Sequence, residues 1–258
     1  MAVPGVDAAA DPPAGLADTE LFAVDAYRRV FDSSVVDVDR EQGRVALERT
    51  AFYPGGGGQP FDLGVIEWAG ARAPVTKVRR EGGRIWHWVD ADELPAPNTE
   101  VYGELDWDRR HLVMRTHTAL HILCGVIWSE FEIPVTGGNM DPGKGRLDFP
   151  LESMSAELGQ RVEARINEEI AAAREIVVRF LGRAAADEDP ALIRTSANLI
   201  PAEIDPLRVI DIVGLDKQAD GGTHVLSTAE VGAVVVTGTE SKGKGNKRIR
   251  LEVRSPVT

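Results

Sequence analysis

Two histidines, His117 and His121, stand four residues apart in "RTHTALHIL". On a helix that spacing sets both imidazoles on one face, one turn apart, where they could share a metal ion. Much further along, "DKQADGGTHV" offers a second pair of ligand types, Asp220 and His224, again four apart and bracketing Gly221-Gly222. Glycine tolerates backbone angles that other residues resist, so the chain can fold back after a strand and aim both side chains inward. Each pair also has an ordinary reading: packed helical histidines in the first case, a β-turn with an exposed histidine in the second. The chain holds only five histidines, and three of them fall in these two stretches, which favours a shared metal centre.

The elements that must position these residues follow from patterning. From residue 21 to about 104 the chain is strand-rich. "RVALERTAF" and "GVIEWAG" alternate apolar and polar residues, and "APVTKVRREGGRIWHWVD" reads as a hairpin turning at Glu81-Gly82-Gly83. "ELPAPNTEVYGELD" carries the prolines of a connector. Short strands with glycine turns predict a small β-barrel over 21–105. From Asp106 the pattern becomes helical, with Asp106 or Asp108 as N-cap and Leu112, Leu120, Leu123 and Ile127 along one stripe. A second helix is expected from about Ser155 to Val177, on the spacing of Met154, Leu158, Val162, Ile166 and Ile170. "VVRFL" resembles a strand, a short helix is expected around Asp189 to Arg194, and "LRVIDIV", "GAVVVTGTES" and "KRIRLEV" are strand-like. The expected fold class is α+β: a barrel domain, then over 106–258 a domain of helices against a mostly antiparallel sheet.

Composition bounds the function. The chain has 258 residues with 43% hydrophobic content, enough for a proper core. Its net charge of −12 argues against a protein that coats nucleic acid non-specifically, though not against one that touches only the end of an RNA. The single cysteine, Cys124, forbids an intrachain disulfide and points to a reducing cytoplasm. No apolar run reaches membrane-span length and no signal-peptide pattern is present. The opening residues 1–20, rich in Ala, Pro, Gly and Asp, read as a flexible leader.

Taken in order, four motifs resemble the editing domain of alanyl-tRNA synthetase and its freestanding relatives, the AlaX-type alanyl-tRNA editing proteins. "HTALH" (117–121) matches the first half of their zinc signature, and "DGGTHVLSTAEVG" (220–232) the second, with Asp220 where the family carries cysteine. "TAFYPGGGGQPFDLGVI" (50–66) resembles the glycine-rich segment of the longer freestanding members, and "GKGRLDF" (143–149) resembles the family's "RxDF" strand. The resemblance runs from about residue 22 to 253. It implies one Zn²⁺ per chain held by His117, His121, Asp220 and His224. Zinc accepts carboxylate oxygen at about 2.0–2.2 Å against about 2.3 Å for thiolate. The exchange keeps the ligand's negative charge and needs no deprotonation at neutral pH. It also makes the site harder and less selective for zinc. Two arrangements remain: Asp220 as fourth ligand, which is favoured, or three histidines with an open position. Cys124, on the same helical face as His117 and His121, could replace the thiolate but reads better as a small buried hydrophobe.

The resemblance further implies a hydrolase that removes the wrong amino acid, chiefly serine, from the acceptor end of alanine tRNA. His117 and His121 would act at the catalytic centre, and Thr136 in "PVTGGN" would read the seryl hydroxyl. The metal would either activate water or anchor the substrate. For tRNA contact, Gly56, Gly57, Gly58 and Gln59 would let backbone pass close to the acceptor terminus or the catalytic domain. Lys242, Lys244, Lys247 and Arg248 would meet phosphate. "YPGGGGQP" lacks the Lys-Ser/Thr of a P-loop, so no ATP is expected. Two other readings stay open: hydrolysis of a different aminoacyl ester, and a tRNA-binding relative without catalysis.

Overall fold

The computed structural model describes residues 11–151, 155–189, 192–195, 204–241 and 245–255. Two short helical turns, α1 (Leu16–Thr19) and α2 (Leu21–Val24), precede the first strand. Part of the stretch expected to be a flexible leader is structured, since Glu20 bridges to Thr50; residues 1–10 lie outside the described residues. Six strands then close a barrel: β1 (Val30–Asp39), β2 (Arg44–Leu47), β3 (Gly64–Trp68), β4 (Ala71–Glu81), β5 (Arg84–Val89) and β6 (Glu100–Leu105). They pair antiparallel in the order β1-β2-β5-β4-β3-β6, and β6 closes the ring on β1. Alternation puts Phe31, Val35, Ile66, Val75, Val101 and Leu105 inside, around Phe52. Burying each such side chain contributes about 1.5–3 kcal/mol. The expected connector at 93–106 is corrected in its second half. Once past the prolines, "EVYGEL" alternates buried and exposed residues and forms the closing strand β6.

The α+β region that follows is organised around α3 (Trp107–Phe131), whose first turn is capped by the Asp106 side chain accepting from the Arg109 N–H at 3.1 Å. A single apolar stripe was expected; in the structure every residue from Thr116 to Ile127 is buried. The helix therefore runs through the core rather than over it. Around it lie two antiparallel sheets. The first combines β7 (Gly137–Asp141), β8 (Lys144–Phe149), β12 (Ala233–Ser241) and β13 (Lys247–Arg254), in the order β12-β13-β8-β7. The second has the order β11-β10-β9, from β9 (Ile176–Leu181), β10 (Leu207–Ile212) and β11 (Asp216–Ala219). Helix α4 (Ala156–Ala171) packs Val162 and Ile166 into the same core. It ends earlier than expected because the four-residue apolar spacing stops at Ile170 and the β-branched "IVV" pairs with β10 instead. A short helix, α5 (Arg183–Asp187), precedes the position expected for one, and there Leu192 stands in a 3-10 turn with its N–H donating to Asp189 O at 3.1 Å. Met154 lies outside the described residues. Among the described residues no helix is long and apolar enough to cross a membrane.

The barrel region and the α+β region are tied together at the start of α3. Arg110, with no exposed surface, donates its Nε to both carboxylate oxygens of Asp62 at 2.9 Å, and its remaining nitrogens reach the carbonyls of Ala26 and Ala51. Asp62 in turn accepts the Tyr53 N–H at 2.6 Å. A buried ion pair survives only with this kind of saturation, and here it fixes the glycine-rich segment against the helix that carries His117.

Candidate metal centre

His117 and His121 project from one face of α3, as their spacing requires, toward the turn after β11 that carries Asp220 and His224. The three imidazoles meet edge to face or tilted, with ring centroids 5.0, 4.2 and 4.7 Å apart. One ligand atom from each of His117, His121, Asp220 and His224 lies within 4.8 Å of all the others. The Asp220 carboxylate sits 3.6 Å from His117 Nε2, 4.0 Å from His121 Nε2 and 3.3 Å from His224 Nε2. Donors bound to one tetrahedral zinc at about 2.0 Å are separated by roughly 3.3 Å, so the set is close to the size such an ion needs. All four residues predicted as ligands are thus brought together. Cys124 is buried one turn further along α3 and is not among the converging donors; burial pushes its thiol pKa up.

The side of each imidazole that faces away from the centre is also occupied. His121 Nδ1 lies 3.0 Å from Asp216 Oδ2, His117 Nδ1 lies 2.8 Å from Gln59 Oε1, and His224 Nδ1 lies 3.1 Å from Thr118 Oγ1. A carboxylate only accepts, so His121 carries its proton on Nδ1 and presents a bare Nε2 to the centre. Outer partners of this kind orient a metal-binding histidine and fix its tautomer. Burial pushes the His117 pKa well below its ordinary value and that of His224 down to about 4, keeping both rings neutral and able to ligate at pH 7. For His121 burial acts in the same direction, but the hydrogen bond and charge of Asp216 outweigh it and raise the pKa. Burial also opposes ionisation of Asp220, yet the surrounding imidazoles hold its carboxyl well below the usual range, so it is an anion. Three imidazole nitrogens and one carboxylate suit a divalent ion of the zinc type, with His121 giving up a proton to bind it.

The turn that delivers Asp220 and His224 is held from behind. Arg208 Nη1 donates to the carbonyls of Asp220 and Gly222, both at 2.8 Å, and its Nε donates to Ala23 O. Gly222 is needed for close approach: a Cβ there would stand 2.5 Å from Gln59 Oε1 and 2.5 Å from His117 Cε1. Likewise a Cβ on Gly125 would meet Leu215 at 2.9 Å and Asp216 at 3.1 Å, so glycine lets β11 reach α3 and seat Asp216 beside His121.

A cavity of about 520 Å³ opens on the donor cluster. Its walls include Leu120 and Cys124 of α3, Thr136 to Met140, Gln218 to Asp220, and Gly57 and Gly58 from the glycine-rich segment between β2 and β3. Thr136 lines it as expected, with its Oγ1 3.1 Å from both Asp148 O and Asn246 Oδ1. The residues expected to meet tRNA divide. Gly56, Gly57 and Gly58 are exposed, and the last two border the cavity. Gln59 is corrected: it is 3% exposed and spends its amide on His117 and Thr223, leaving no surface for RNA. Lys247 and Arg248 are corrected too. Lys247 is buried with its Nζ on Ser241 Oγ, and Arg248 forks onto both oxygens of Asp148 at 2.7 Å. Lys242 and Lys244 lie outside the described residues. Sequence reasoning passed over Asp216 and Thr118, although both sit inside the quoted motifs, and Arg208 and Arg194. Arg194 donates to Asp216 Oδ1 at 2.7 Å.

Comparison with known proteins agrees with this architecture. Residues 207–250, which include Asp220 and His224, match the family described as the threonyl and alanyl tRNA synthetase second additional domain. Residues 23–109, the barrel, match class II (A) tRNA synthetases. The chain is therefore built from parts shared with aminoacyl-tRNA synthetases. It is 39% identical to the alanyl-tRNA editing protein AlaX-M of Saccharolobus solfataricus over 91% of this chain and 98% of that one. It is 35% identical to that of Methanosarcina barkeri over 89% and 96%. The alanine–tRNA ligase of Pyrococcus furiosus is 34% identical over 91% of the chain, which corresponds to 26% of the ligase. The chain belongs to the AlaX-M family of alanyl-tRNA editing proteins.

Proposed function

We propose that this protein is a metal-dependent hydrolase that removes a wrongly attached amino acid, chiefly serine, from alanine tRNA. The observation that carries the reading is the convergence of three imidazoles and the Asp220 carboxylate, of which His117, His121 and Asp220 line a cavity of about 520 Å³, in a chain whose relatives are named for alanyl-tRNA editing. The cavity is of a size for an aminoacyl group and its ribose. His117, His121, Asp220 and His224 would hold one zinc ion, which when bound supplies a Lewis acid able to polarise an oxygen or lower the pKa of water. The chain's own residues set the rest. Apolar walls from Leu120, Val135, Leu147 and Met140 exclude bulk water. Gly57 and Gly58 at the rim admit the acceptor terminus without side chains in its path.

Selectivity is the harder task, because serine differs from alanine by one hydroxyl and an apolar site cannot reject it well. Thr136 would read that group as an acceptor. Its own proton goes to Asp148 O or Asn246 Oδ1, which leaves an oxygen lone pair for an incoming seryl O–H. Ester hydrolysis is downhill in water, so no nucleotide triphosphate is required.

The test is release of amino acid from Ser-, Gly- and Ala-charged alanine tRNA by the purified protein, with metal content measured in parallel. Serine release with alanine spared, near one divalent ion per chain, and loss of release in His117→Ala with tRNA binding retained are the expected results. Failure to cleave any of the three esters at full metal loading overturns the proposal. Cleavage of another aminoacyl ester instead moves the substrate and keeps the chemistry.

A further inference from the structure

Gln59 belongs to the glycine-rich segment of the first domain, yet its amide lies inside the second. It makes three contacts there, and together they leave one consistent assignment of protons. The backbone N–H of Thr223 faces one end of the amide at 3.0 Å, and the Thr223 hydroxyl faces the other at 2.9 Å. A backbone N–H can only donate, so the end it meets is the carbonyl oxygen Oε1, and the Nε2 end donates to the Thr223 hydroxyl. The opposite amide orientation would set an NH₂ group against an N–H in a buried place, at a cost of roughly 1–3 kcal/mol. His117 Nδ1 lies 2.8 Å from that same Oε1. An oxygen already accepting has no proton to give, so His117 must bring its own on Nδ1. Its Nε2 is then a bare lone pair facing Asp220 and His224.

We propose that Gln59 is a positioning residue of the metal centre: the first domain sets the tautomer of a ligand in the second, and ion affinity depends on the two domains being docked. The inference rests on the reading of His117, His121, Asp220 and His224 as metal ligands. Gln59 is 3% exposed, and the missing Cβ of Gly222 leaves the space its amide occupies. Its reach is fixed on both sides in sequence. Gly58 O accepts the Met140 N–H at 3.3 Å, and Asp62 holds Arg110 of α3. These fastenings do not involve Gln59 and survive its substitution, so the domains stay together when the amide is removed.

The experiment uses Gln59→Leu and Gln59→Glu in the full chain, with Zn²⁺ competed against a chromophoric chelator. Leucine removes the acceptor and frees His117 to take the other tautomer; outer-partner losses lower metal affinity by about 10–100-fold. Glutamate keeps an acceptor for both the Thr223 N–H and the His117 Nδ1–H, and the Thr223 hydroxyl can turn to donate to it, so affinity returns toward the wild-type value. A role in packing alone would not separate the two variants in this way. A second measurement needs no metal: long-range ¹H–¹⁵N spectra of the metal-free protein are expected to show His117 as the Nδ1–H form, and its loss in Gln59→Leu. Zinc affinity in Gln59→Leu equal to wild type, or a wild-type His117 protonated on Nε2, overturns the inference. Wild-type protein that binds no divalent ion overturns the metal reading itself, and the tautomer spectra still decide the assignment for Gln59.

Discussion

His87 offers a pH test of the barrel that is independent of the metal. It sits inside the ring of strands with no exposed surface, stacked edge-on against Phe52. Its Nδ1 faces Val45 O at 3.3 Å, which fixes the proton there, and its Nε2 lies 2.9 Å from Thr50 Oγ1. The Thr50 oxygen already accepts the Phe52 N–H at 3.1 Å, so its own proton is directed at His87. The neutral ring is fully satisfied, and a second proton would force the hydroxyl to turn away. Burial accordingly pushes the His87 pKa from 6.5 down to about 4. A depressed histidine means that between those values the unfolded chain takes up a proton that the folded one refuses. Its contribution to stability is complete above pH 6.5 and is lost as pH falls toward 4. The full loss is about 3 kcal/mol, and about 2 kcal/mol of it falls between pH 7 and 5. Urea unfolding of wild type and His87→Gln, both with excess chelator, measures it. Glutamine does not titrate, and every other acid-sensitive group is common to both proteins. The stability of wild type relative to the variant is expected to fall by about 2 kcal/mol from pH 7 to 5. A difference that stays constant within about 0.5 kcal/mol would show that His87 is reached by water or protonated in the fold, and the reasoning would be wrong.

Three further outcomes follow from the site and its supports. Asp216→Asn removes the charge that holds the His121 proton on Nδ1 and that Arg194 also meets; zinc affinity should fall about 10–100-fold by chelator competition, and unchanged affinity would remove Asp216 from the centre. Asp62→Ala strands the buried Arg110 charge, at an expected cost of about 3–5 kcal/mol in urea unfolding; a loss below about 1 kcal/mol would mean the pair is not sealed from water. Gly222→Ala and Gly221→Ala form a matched pair. The first places a methyl 2.5 Å from both Gln59 Oε1 and His117 Cε1, while the second meets nothing within 4 Å. Zinc affinity should drop at least about tenfold in the first and hold in the second; equal behaviour of the two would refute the close approach.

What was legible in the sequence and what was not divide along a physical line. His117 with His121, and Asp220 with His224, are local pairs whose spacing fixes their relative direction on a helix or across a tight turn, so the donor set could be assembled from two short words. The residues that orient those donors are single and distant. Asp216 reaches His121 only because Gly125 lets a strand press on α3, and Gln59 reaches His117 only because the barrel region packs there. Neither fact has a local signature. The barrel's closing strand β6 was hidden behind the prolines of its own approach. The burial of α3 on every side depends on two sheets that the helix itself does not encode.

Charge was the least legible property, and the reason is register. "KGKGNKRIR" reads as a basic cluster in a chain of net charge −12, and the direct inference is a phosphate site. The ladder between β13 and β8 sets Arg248 opposite Asp148, where the guanidinium forks onto the carboxylate, and Asp148 is the acidic residue of the "RLDF" run. A cross-strand pair of this kind is invisible until the strands are aligned, because the two residues are a hundred positions apart. Once paired, Arg248 has its strongest donor directions occupied by a carboxylate, and an incoming phosphate would have to displace it. The same pairing holds the strand next to Thr136, whose hydroxyl lies 3.1 Å from the Asp148 carbonyl. The basic run is thus tied to the cavity wall, so its substitution would act on the pocket through Thr136 as well as on any contact with RNA.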